Sequence, residues 1–229
     1  MLKERTFWMF CFLLAGLPAV VFSYENEPVI YCEVGLFLNV GGGSVKVNDE
    51  SGGGSLMRYG EFKVGYGPID DPIFNLPIYL VGEFTGGYES STGRSRNDVM
   101  GYSSIPLYTG VGILYYPKPI IQLGGTLGVS WHLSSSIPYK IRGRVSEDII
   151  SPGFAWNIST AADLGALFNA WKNVDTTDKE FLMGLLLGLQ ISGSRNSFKS
   201  YYLRDEIASG TVSTTYISAF LKTYIKIPR

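Results

Sequence analysis

The chain has 229 residues, with 19 Lys and Arg against 20 Asp and Glu, a formal net charge of −1. That balance gives no electrostatic case for a nucleic-acid partner, which shows as a basic excess. With 28 Gly, 15 Tyr and only 17% charged residues, the composition departs from that of a cytosolic enzyme and favours an all-β chain.

Residues 1–23 read as a secretory signal peptide. "MLKER" supplies Lys3 and Arg5, "FWMFCFLLAGLPAVVF" is apolar, and the small Ser23 precedes the polar "YENEP". The apolar run is short for a spanning helix and Pro18 interrupts it. Once it is removed, 24–229 form one unit whose lone cysteine is Cys32, so no internal disulfide forms.

Eight runs then alternate between apolar and small or polar residues: 29–40, 57–67, 75–88, 102–116, 119–132, 153–167, 180–192 and 214–227. Strand side chains point to opposite faces with a period of two. These runs exceed the usual globular strand of about 5–6 residues and match the about 9–11 of a tilted membrane strand. The connections alternate in size. "GGSVKVNDESGGGS", "ESSTGRSRNDVM", "SSSIPYKIRGRVSEDIIS" and "SGSRNSFKSYYLRDEIASGTVS" read as long polar loops. "GPIDDPIF", "PKP" and "NAWKNVDTTDKE" are shorter turns. Eight antiparallel strands with long loops at one end and short turns at the other make an up-and-down transmembrane β-barrel, with both chain ends on the short-turn side.

Aromatic residues gather near the strand ends. Tyr66, Phe74, Tyr115, Tyr116, Phe168, Trp171 and Phe181 are placed at one rim, and Phe84, Tyr88, Tyr102, Trp131, Phe154 and Trp156 at the other, as two lipid-interface girdles.

The two parities differ sharply. One is nearly pure apolar, as in Met183, Leu185, Leu187 and Leu189. The other mixes Gly and Tyr with ionisable groups at mid-strand. Because an Arg or Lys at the lipid midplane costs about 2–4 kcal/mol, the mixed parity is read as the lumen. It carries Glu33, Glu61, Lys63, Glu83, Gln122, Asp163 and Lys222. These residues either tune ion passage or pair as an internal salt-bridge network. Tyr59, Tyr108, Tyr216, Phe220 and Tyr224 are expected on the same face, either leaving a water path over the lumen glycines or packing over them. A soluble barrel with the apolar side inward would need charged outer faces, which runs five and seven lack.

Signal peptide, eight alternating strands, four long loops and three shorter turns, together with strands such as "LPIYLVGEFTGGY" (76–88), resemble the small eight-stranded outer-membrane barrels of the OmpX, OmpW and OmpA transmembrane-domain class. The resemblance covers about 24–229 and rests on architecture, not on a specific motif. It departs at "YIKIPR", where family members end in an aromatic residue, and at Pro77 and Pro106 within strand runs. The resemblance implies the outer membrane of a diderm bacterium, with lipid, the assembly machinery and periplasmic chaperones as partners.

For function it implies a narrow porin-like channel for small solutes or hydrophobic molecules, of OmpW type. The alternative is an adhesin or structural barrel of OmpX type, binding external or host ligands through its loops. Lys140, Arg142 and Arg144 in "YKIRGR" are the loop candidates for an anionic ligand. A third reading, a lipid A-modifying enzyme, rests on His132 and Ser134, expected on one strand face with Glu147 or Glu83 as acidic partner. The chain is expected not to be an enzyme. With one His and one mature Cys, no metal or cofactor site is expected.

Overall fold

The computed structural model describes residues 29–48, 50–70, 77–91, 102–118, 120–136, 147–165, 182–203 and 205–227; of residues 29, 36–38, 50, 68–70, 77, 118, 147, 182 and 207 it describes the backbone only. The expected signal peptide, residues 1–23, lies outside these residues. So do Phe74, Phe168, Trp171 and Phe181, as do Lys140, Arg142 and Arg144.

Among the described residues there are nine strands: β1 Val29–Val47, β2 Glu50–Asp70, β3 Pro77–Ser91, β4 Tyr102–Lys118, β5 Ile121–Ser136, β6 Glu147–Ile150, β7 Gly153–Asp163, β8 Leu182–Tyr202 and β9 Asp205–Ile227. All pairings are antiparallel, and the ladder β1–β2–β3–β4–β5–β7–β8–β9 closes through β9–β1 into a ring of eight. Strand β6 continues the line of β7 along β8, pairing Ile150 with Phe198 where β7 pairs Phe154 with Arg195. The break falls at Ser151–Pro152, where Pro lacks the N–H that a ladder needs.

The barrel is inside out. On the outer surface Met183 is 63% exposed and Ile158 60%, whereas Lys63 and Lys222 inside are each 1% exposed. Outward apolar positions run from Ile78 to Tyr88 on β3 and from Ile217 to Ile227 on β9, the span a tilted membrane strand needs. The fold is that of the small eight-stranded up-and-down barrels.

Two of the four expected long loops are strand instead. β1 and β2 stay paired up to Val47↔Glu50, and β8 and β9 up to Tyr202↔Asp205. The Gly and Ser runs suggested coil, yet their other parity carries Val45, Val47, Leu56, Phe198 and Val212, which pack as one apolar cluster. The hairpins turn at Asn48 and Leu203, both at positive φ (54° and 48°). Asn is one of the few residues that visits this region readily. Its carboxamide oxygen also accepts a bond from the Thr211 amide at 2.9 Å, in space that a side chain at position 210 would fill. The result is a tower of paired strands standing beyond the apolar band.

Three further expectations are corrected. Tyr102 and Tyr116 share the parity of Gly110 on β4 and are buried inside the barrel rather than at its lipid rims. Tyr59 faces outward at 64% exposure, because the β2–β3 register shifts between Arg58 and Gly60. Run six ends as a strand at Asp163, and Leu164 and Gly165 begin a helical turn.

Candidate functional site

The interior is filled in layers. Nearest the chain termini is an aromatic layer. The Tyr31 and Tyr224 rings stack at 5.8 Å, and Tyr79 lies 5.7 Å from both Tyr31 and Tyr116. The Lys226 ammonium sits 4.7 Å from the Tyr116 ring centre and 5.3 Å from that of Tyr224, in cation–π range. Gln122 donates from Nε2 to the hydroxyls of Tyr31 (2.9 Å) and Tyr116 (2.8 Å), and Tyr224 donates to Asp163 Oδ2 (2.6 Å). Two glycines make this packing fit. A Cβ at Gly184 would lie 2.2 Å from the Tyr224 ring, and one at Gly188 would lie 2.5 Å from Phe220 Cζ. Each aromatic residue is the direct cross-strand partner of its glycine.

Above it lies the charged layer. Lys63 Nζ is 3.0 Å from Glu61, 3.4 Å from Glu33 and 3.9 Å from Glu83. Lys222 bonds Glu61 and lies 3.2 Å from Glu33. Arg58, on the inward side of the β2 bulge, lies 3.1 Å from Glu61 and 4.0 Å from Glu83. Neutral donors occupy the remaining carboxylate oxygens. Thr126 donates to Glu83 at 2.7 Å, Asn157 at 3.1 Å, and Asn39 donates to Glu61 at 3.0 Å. Buried charges are tolerated when paired and fully hydrogen-bonded, and here three carboxylates face three cations. Sequence parity supplied two of those cations. Arg58 was missed because the bulge that turns it inward leaves no mark in the alternation. Asp163 is on the lumen side as expected but belongs to the aromatic layer.

Beyond the charges is a cavity of about 60 Å³ lined by Arg58, Thr85, Tyr108, Asn157 and Tyr216, with Glu89 on its wall. The tower cluster of Val45, Val47, Leu56, Tyr102, Ile150, Phe198, Val212 and Tyr216 follows it. The lumen candidates Glu33, Glu61, Lys63, Glu83, Gln122, Asp163 and Lys222 are thus all buried inside the barrel, divided between two layers.

His132 and Ser134 are not together. The β4–β5 register shifts at Ile105/Pro106, so Ser134 pairs with the outward Ile105 while His132 stays inside. His132 Nδ1 instead meets Ser104 Oγ at 2.5 Å and lies 3.8 Å from Glu89. Both contacts fall on one ring nitrogen, whereas a serine–histidine–acid relay needs the acid and the serine on different nitrogens. Glu83 is committed to the charged layer, and the Glu147 side chain lies outside the described residues. Among the described residues no three His, Cys, Asp or Glu side chains gather to hold a metal ion.

No family model and no curated protein matches the chain. Solved structures do. The attachment invasion locus protein Ail of Yersinia pestis, solved with the heparin analogue sucrose octasulfate, is 13% identical, with 86% of this chain and 99% of that one covered and a TM-score of 0.39. The outer membrane protein AlkL, solved by solid-state NMR in lipid bilayers, is 10% identical over 89% and 92% of the chains, with a TM-score of 0.46. OprG of Pseudomonas aeruginosa is 10% identical over 89% and 97%, with a TM-score of 0.34.

Proposed function

We propose that the chain is an outer-membrane barrel with a closed interior, serving as a structural and surface-binding protein through the strand tower and loops at the end away from its termini. The observation that carries this reading is the charged layer. Glu33, Glu61, Glu83, Lys63, Lys222 and Arg58 neutralise one another across the lumen, between an aromatic layer and an apolar cluster. An ion entering would have to displace bonds that no bulk water replaces. Eight-stranded barrels have room for little more than their own side chains. Enzyme chemistry is not part of this reading.

The second reading, a narrow conduit of OmpW type, is favoured by the cavity beyond Arg58, whose Leu56, Tyr108 and Tyr216 walls suit a small, partly apolar molecule. Conductance of the refolded barrel in a planar bilayer separates the two. A silent bilayer with the folded barrel verified is expected. Discrete steps altered by Glu33→Gln or Lys63→Gln would overturn the closed-barrel reading in favour of the conduit.

A further inference from the structure

On the outer surface Lys46, Ser213 and Arg195 stand in one row. Lys46 pairs with Ser213 across β1–β9, and Ser213 with Arg195 across β8–β9. At about 4.8 Å per strand the two cations are roughly 10 Å apart. Ser51 of β2 extends the row beyond Lys46, and Phe154 of β7, 56% exposed, closes it beside Arg195. The next row towards the membrane holds Ser44, Thr215 and Gly193, with Trp156 beside Gly193. One row further down are Ile217 and Ile191, the edge of the apolar band. Ser44, Thr215 and Gly193 therefore separate the cations from the lipid face, and the Trp156 ring lies over Gly193 beneath Arg195. Among the described residues no carboxylate lies within ion-pair distance of Lys46 or Arg195, whereas Lys199, further out, is held by Glu206 at 2.8 Å.

We propose that Lys46 and Arg195, with Ser213 between them, bind the phosphate of an anionic lipid in the leaflet around this rim. The inference rests on the reading of the chain as a membrane barrel. Arg195 lies four residues past Ile191, roughly 13 Å along the strand and nearer 10 Å above the hydrocarbon edge once the strand tilts by about 40°. The headgroup region reaches about 5–8 Å beyond that edge. Long basic side chains close the difference by lying down along the surface, here over Ser44 and Thr215 and along the Trp156 ring that covers Gly193. The guanidinium offers a fork that matches two phosphate oxygens, and the ammonium and the serine hydroxyl supply further donors. Continuity with the lipid-facing band, and positive charge that no described carboxylate pairs, select an anionic lipid headgroup as the occupant.

The test uses the full chain with Trp8→Phe, Trp131→Phe and Trp171→Phe, leaving Trp156 as the reporter. It is refolded into phosphatidylcholine vesicles containing either brominated phosphatidylglycerol or brominated phosphatidylcholine, and bromine quenching gives the relative affinity of the two lipids. The expected result is a preference for phosphatidylglycerol that falls about two- to five-fold with each of Lys46→Gln and Arg195→Gln and is unmoved by Lys199→Gln. Equal quenching by both lipids in the unaltered row, or a preference that survives the double substitution, would overturn the proposal. No quenching by either lipid would overturn the membrane reading, and the proposal with it.

Discussion

Lys63 Nζ lies 3.0 Å from Glu61 and 3.4 Å from Glu33, and both carboxylates are shared with Lys222. Every charge in this layer thus has at least two partners. Removing one cation leaves three carboxylates facing two, so Lys63→Met is expected to cost about 3–5 kcal/mol. The check is the urea midpoint of the barrel in detergent, followed by tryptophan fluorescence. A change within error of zero would mean that water already screens the layer.

The glycine–aromatic pairs make a packing prediction. Gly184→Ala puts a methyl group 2.2 Å from the Tyr224 ring and displaces the hydroxyl that donates to Asp163. Overpacking of this kind costs about 1–3 kcal/mol. Tyr224→Phe, which removes the hydrogen bond alone, should cost about 1 kcal/mol. Unfolding of both variants should rank them in that order.

The tower predicts protease resistance. Lys46 and Arg195 lie within paired strands, and a protease needs an extended, unpaired segment. Trypsin added to barrels in vesicles should leave both sites uncut under conditions where a denatured chain is cut at each. Mass spectrometry of the fragments reads this directly. Rapid cleavage at Lys46 would return the segment to a loop.

The bulge at Arg58 predicts opposite labelling of adjacent residues. In a Cys11→Ser, Cys32→Ser background, Tyr59→Cys should react readily with a membrane-permeant maleimide and Arg58→Cys should not. Their exposure differs because Tyr59 is 64% exposed while the Arg58 side chain is 8% exposed. Equal reactivity would contradict the register shift.

Much of this was legible in the sequence because a β-barrel writes its two faces in alternation. Glu33, Glu61, Glu83 and Lys222 could be put inside from parity alone, since a lipid face excludes charge. The same parity, followed strictly, also turns Tyr102 and Tyr116 inward, where their aromatic character pointed instead to a rim. What alternation cannot carry is a register shift. One extra residue at Tyr59, and another opposite Pro106, reverse the parity beyond them. They decide where Arg58 and Ser134 point. The tower was hidden for a different reason. Gly42, Gly43, Gly52 and Gly53 have poor strand propensity, and their segment is held in the sheet by Val45, Val47 and Leu56 packing on the distant Val212 and Phe198.

The inside-out assignment of the barrel underlies all of these results, and a tryptophan scan along β8 tests it most directly. Single tryptophans at positions 185, 186, 187, 189 and 190 of an otherwise tryptophan-free chain, leaving the tightly packed Gly188 in place, would be quenched in vesicles of brominated lipid. A period of two is predicted, with strong quenching at 185, 187 and 189 and little at 186 and 190. Strong quenching at the even positions, or no periodicity, would contradict it.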